Sequence, residues 1–111
     1  MNRTLIALVL AALSALAAQD PYKVGGDVKA PKLLYKVEPA FPEGAPEGTV
    51  VVKTVISDKG EVSEATVVRE PDPSLGKAAI DAVRQWRFEP GTKQGKPVPV
   101  QATIEVNFRR K

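Results

Sequence analysis

From Val98 to Arg109 the chain alternates without a break. Val98, Val100, Ala102, Ile104, Val106 and Phe108 fall on one side; Pro99, Gln101, Thr103, Glu105, Asn107 and Arg109 fall on the other. Side chains of a β-strand leave opposite faces with period two, so this stretch reads as a half-buried strand. Its apolar face needs a second layer to cover it, which restricts the chain to a layered fold. Pro99 lacks a backbone donor and belongs at an edge or at the start of the strand. The preceding "KQGKP" reads as the connecting turn.

The same periodicity appears earlier, in "GTVVVKTVISDKGEVSEATVVREP". Val50, Val52, Thr54 and Ile56 share one face, and Val62 to Val68 form a second β-branched run. The "SDKGE" between them supplies an aspartate and a glycine able to take positive φ, which is hairpin-loop chemistry. Asp58 and Glu61 lie in that loop with no third ligand nearby in sequence and read as turn residues rather than a metal site.

Between hairpin and last strand, "DPSLGKAAIDAVRQWRFEPG" predicts a helix capped by Asp72 or Ser74, with Pro73 in the first turn. Leu75, Ala79, Val83 and Trp86 form one apolar stripe, thinned by Ala78 and Ala82 so that the helix can lie close on a sheet. The pattern carries the helix through Arg84 and Arg87, cations suited to its negative end, to a stop at Glu89-Pro90-Gly91.

The N-terminal third behaves differently. Leu5 to Ala18 is apolar or small except for Ser14, follows Arg3, and ends in Ala15-Leu16-Ala17. This is the layout of a secretory signal peptide over residues 1–18, cleaved near Ala17 or Ala18, with a short uncleaved membrane anchor as the alternative. Either one directs the remainder out of the cytoplasm. Residues 19–36 are an arm punctuated by Pro21, Pro31 and a Gly25-Gly26 pair, in which "KLLYKVEP" can pair as a short strand. A single domain over residues 37–111 follows.

Composition narrows the chemistry. With no cysteine and no histidine in 111 residues, the chain lacks a thiolate nucleophile and the commonest general base and metal ligand. No cofactor or metal set is legible, and the reading is not an enzyme. A net charge of +3, interspersed along the chain, is too weak to argue for nucleic acid.

Hairpin, helix, strand in that order gives an α+β fold: a small three-stranded antiparallel sheet with one main helix packed on it. Val50, Val52, Ile56, Leu75, Ala79, Val83, Trp86, Phe88 and Phe108 are the expected core. Trp86 supplies a large apolar surface where a small domain has few alternatives. A base-stacking role for it beside Arg84 and Arg87 is the competing reading, though one aromatic makes no platform.

The tract from Ala79 through "AVRQWRFEPG" to "GKPV", after a G-x-V-x-V hairpin, resembles the C-terminal domain of TonB, the energy-transducer family of Gram-negative bacteria. The likeness runs from about Val37 to Phe108 and implies binding rather than catalysis. Domains of that family grip the TonB box of outer-membrane transporters and transmit force from the inner-membrane ExbB–ExbD motor. The implied mode is β-augmentation, in which a peptide strand joins an open sheet edge. Carried onto this sequence, the receiving strand is Val100, Gln101, Ala102, Thr103, Ile104, Glu105, Val106 and Asn107. The alternative is a stand-alone envelope domain that self-associates, as a homodimer for instance, through the same edge without an energy-transducing role. Two features depart from the family pattern: the cleavable-looking leader, and "EGAPEG" after Phe41-Pro42, where Gly44 and Pro46 disfavour the short helix expected there.

Overall fold

A computed structural model describes residues 20–110. The leader reading of residues 1–18 lies outside these residues. The elements in chain order are β1 (Tyr22–Lys23), β2 (Val28–Lys29), β3 (Lys32–Tyr35), β4 (Gly48–Ile56), β5 (Val62–Arg69), α1 (Pro73–Val83), β6 (Arg87–Glu89), β7 (Thr92–Lys93), β8 (Lys96–Pro97) and β9 (Val100–Phe108). The main sheet has the order β1-β9-β4-β5. Its three long strands are antiparallel, and β1 joins β9 in parallel. Among the described residues no helix is long and apolar enough to cross a membrane.

The period-two faces fold as their patterns require. Val50, Val52 and Ile56 are fully buried and Thr54 nearly so, with its hydroxyl donating to the Ala102 carbonyl at 2.8 Å. That bond lets a polar side chain sit in the core without an unmet partner. The β4–β5 loop closes through Gly60 at φ 81°, and a Cβ there would lie 1.8 Å from the Phe88 carbonyl oxygen. Only glycine combines that backbone with that approach.

Helix α1 begins as expected: the Asp72 carboxylate accepts the Ser74 N–H at 3.0 Å, and Pro73 occupies the first turn. Its end is a correction. The helix stops at Val83 with Arg84 as C-cap, well short of Glu89-Pro90-Gly91. Gln85 and Trp86 then bond back to Ala82 and Val83 in a tighter turn. Arg87–Glu89 is strand β6, paired with β3 through Leu33 and Phe88. An apolar stripe runs unbroken through a helix and the tight turn after it, so periodicity alone overshoots. The partner that pulls Phe88 into a strand lies far away in sequence.

Three short strands lie within residues 20–36, each with a partner. Strand β1 joins the main sheet, β2 pairs with β7, and β3 pairs with β6. The β7–β8 hairpin turns at Gln94 and Gly95, both at positive φ, as a two-residue turn of this kind demands. Between β3 and β4 the segment is irregular, with a turn at Glu43-Gly44 and no helix, as Gly44 and Pro46 dictate.

Candidate functional site

Trp86 is 5% exposed, and its indole N–H donates to the Val37 carbonyl at 2.9 Å. It packs beside Phe88 at 6.4 Å between ring centroids, with the Lys36 ammonium 5.8 Å from its own. Arg87 donates to the Trp86 and Arg84 carbonyls, so its guanidinium closes the helix end rather than lining a flat stacking face. Leu75, Ala79, Val83, Phe88 and Phe108 are buried in the same cluster as Val50, Val52 and Ile56. Trp86 is therefore a clasp: it holds the segment entering the domain against the segment leaving the helix.

On the β9 side of the main sheet, one strand is only partly covered. On its inner side β9 pairs with β4 along its whole length, from Ile56 with Val100 to Gly48 with Phe108, and the register never shifts. On its outer side β1 covers only Val100 and Gln101. The Tyr22 N–H donates to the Pro99 carbonyl at 2.9 Å, which fixes the outward parity of the strand. Backbone groups of successive strand residues point alternately to the two neighbours. Thr103, Glu105 and Asn107 therefore turn their N–H and C=O groups to the open side. Among the described residues no strand pairs with that stretch.

The side chains along this edge divide cleanly. Val100 and Val106 are buried, Ala102 and Ile104 half-buried, and all four face the core. Gln101 is half-buried, while Thr103, Glu105 and Asn107 are exposed. Asn107 accepts from the Thr49 hydroxyl across the pair at 2.6 Å. An added strand would find unpaired backbone groups, an apolar margin on the core side and a polar face with a single carboxylate. Little would need to be desolvated. Two contributors were not legible in the sequence: β1, whose Tyr22-Lys23 dipeptide has no strand-like length, and Arg110. The Arg110 N–H donates to Glu47 at 2.9 Å, its guanidinium donates to the Ala45 carbonyl, and the same group lies 4.6 Å from the Phe41 ring centroid.

Comparison with known proteins bears on the fold and the family. The family described as Gram-negative bacterial TonB protein C-terminal matches residues 37–109. Protein TonB of Xanthomonas campestris pv. campestris (strain B100) is 28% identical over 74 residues, covering 66% of this chain and 33% of that protein. Protein TonB of Vibrio cholerae serotype O1 is 27% identical over 79 residues, covering 67% of this chain and 32% of that protein. The chain thus spans about a third of the length of these curated relatives. The solution NMR structure of the Pseudomonas aeruginosa TonB CTD superposes with a TM-score of 0.61 at 27% identity, covering 84% of this chain and 97% of that one.

Proposed function

The chain belongs to the Gram-negative bacterial TonB C-terminal family, and on that premise we propose that it is a periplasm-facing binding module acting in energy-coupled transport across the outer membrane. Its partner is the TonB box of a TonB-dependent outer-membrane transporter, captured as an added strand on β9. If the leader is retained as an anchor, ExbB–ExbD is the motor that pulls it; a cleaved chain captures the same peptide without being pulled. The observation that carries this reading is the open stretch of β9, regular in register and presenting the backbone groups of Thr103, Glu105 and Asn107. Main-chain bonds made there give affinity with little dependence on peptide sequence.

Titration of the chain with a fluorescent TonB-box peptide tests the proposal. Thr103→Pro removes one outward donor and leaves the β4 pairing intact, so the variant stays folded and its peptide capture is abolished. Unchanged affinity in a folded Thr103→Pro protein would sink the assignment. The second reading, self-association, draws on the same open edge. A concentration-dependent dimer that Thr103→Pro dissolves, together with no peptide binding by the parent chain, would favour it.

A further inference from the structure

Every residue of β3 is exposed, although the strand reads Lys32-Leu33-Leu34-Tyr35. Its register against β6 shifts between Leu33 and Tyr35, which leaves Leu34 without a partner. A bulge re-aims the side chain of the extra residue. Leu34, 66% exposed, stands further into solvent than any other large apolar side chain among the described residues. The patch is held from behind: Leu33 pairs with buried Phe88, and the Trp86 indole bonds to the Val37 carbonyl just past β3. Tyr22 and Val24 are exposed as well, so five of the six exposed large apolar residues lie on the arm. The arm gathers at one end of the main sheet. Strand β1 adjoins Val100, Gly91 sits between Val100 and the Lys29 carbonyl, and the Phe88 N–H donates to Gly60 in the β4–β5 loop at 2.8 Å.

Charge accompanies the apolar patch. Lys23, Lys29, Lys32 and Lys36 are all exposed, against Asp27 alone in the same stretch. Glu89 stands opposite Lys32 on β6, and Glu38 pairs with Lys36 at 3.5 Å, the one ion pair among the described residues. Lysines alone are an ordinary guard on a strand edge. A guard does not also place Leu-Leu-Tyr in water. Apolar side chains ringed by lysines, with tyrosines among them, match the boundary of an anionic bilayer, where acyl chains, phosphates and interfacial rings each have their layer.

We infer that the arm docks on a membrane surface bearing anionic phospholipids, with Leu33, Leu34 and Tyr35 in the acyl boundary and Lys29 and Lys32 on headgroup phosphates. Both readings of residues 1–18 send the chain to a membrane, and the arm follows those residues directly. The open stretch of β9 begins past Gln101 and runs away from this end, so the docked domain still presents it.

The chain has no cysteine, so Ala30→Cys and Val68→Cys each take a single nitrobenzoxadiazole label, one on the arm and one on β5. The full labelled chain is titrated with vesicles of phosphatidylcholine alone, or with about one-third phosphatidylglycerol added. The label on the arm is expected to blue-shift with the anionic vesicles and not with the neutral ones, while the label on β5 stays in water. Lys29→Glu/Lys32→Glu and Leu34→Ser/Tyr35→Ser change exposed positions only, and each should weaken the response by at least about tenfold. An equal response on neutral vesicles, or one that survives both double variants, would assign membrane contact to residues 1–18 alone and overturn the inference. No response from the arm, or an equal one from β5, would do the same. A shift that grows with protein concentration in the absence of vesicles would give the surface to a second copy instead.

Discussion

Strands β5 and β9 flank the same central strand, β4, and each has an outer side that a foreign strand could use. Strand β9 meets β4 in continuous register over its nine residues. Strand β5 shifts register twice, between Val51 and Val52 and again between Val55 and Ile56 of its partner. Bulges bend and twist a strand and interrupt the row of outward donors that a new strand would read. Strand β5 also exposes Glu64 and Arg69, with Arg84 from the helix end beside Ser63 and Glu64. It is defended as natural edges usually are. Among the described residues strand β9 has neither bulge nor basic guard, only the two residues of β1 at its start. One sheet thus carries a closed edge and an available one, and regularity of register separates them more than composition does.

The largest expected effect removes both edges together. Trp86→Ala empties a buried aromatic site and leaves the Val37 carbonyl unpaired, costing about 3–5 kcal/mol. Denaturant unfolding should show that loss, and peptide capture should fall in step with the folded fraction. A stable Trp86→Ala protein that had lost only capture would make Trp86 part of the binding surface. Gly60→Ala comes next. It forces a side chain into a positive-φ position against the Phe88 backbone, on the order of 2–3 kcal/mol. The strain falls on the β4–β5 loop, so the folded fraction should keep full affinity for the peptide. Lost affinity at unchanged stability would mean that the two edges communicate.

A pair of prolines then sharpens the contrast directly. In the uninterrupted register, even-numbered residues of β4 and β9 bond to each other, so the odd-numbered residues of β4 face β5. Lys53 pairs with Thr66, which leaves Ala65 turned outward on β5 as Thr103 is on β9. Thr103→Pro should abolish capture, whereas Ala65→Pro should leave it within about twofold, whatever it costs in stability through its half-buried side chain. Equal losses of affinity in two folded variants would erase the distinction between the edges.

What the sequence disclosed and what it withheld follow from one physical difference. Period-two faces made β4 and β9 legible, because alternation is a local property that survives any tertiary arrangement. Asp72 and Pro73 marked the helix start for the same reason. The helix end, β6 and β1 depend on partners far along the chain: Phe88 becomes a strand residue because Leu33 lies opposite it, and Tyr22 because the Pro99 carbonyl is free to accept its N–H. The identity of the β9 edge could be proposed from its polar face, but not the portion left open. The cluster of Phe41, Phe108 and Arg110 at its end was hidden altogether, since closure of the sheet alone brings these residues together.

The smallest effect concerns the helix, which lies mainly against β5 and β4. Hydrogen bonds from the Ser74 hydroxyl, and then from its backbone N–H, hold the Asp72 carboxyl below the ordinary aspartate range. A carboxyl depressed in the folded state contributes stability that is present above its unfolded pKa and lost as pH falls through the folded value. The contribution is therefore whole at neutral pH and fades below about pH 4. Asp72→Ala should lower the melting temperature slightly at pH 7, and the gap to the parent should narrow on titration to pH 2. Because the loosened helix start sits over β5, hydrogen exchange should quicken in α1 and β5 first, with β9 amides and peptide affinity unchanged. If β9 amides quickened equally, the helix would be holding both edges, and the availability of β9 could no longer be credited to its register alone.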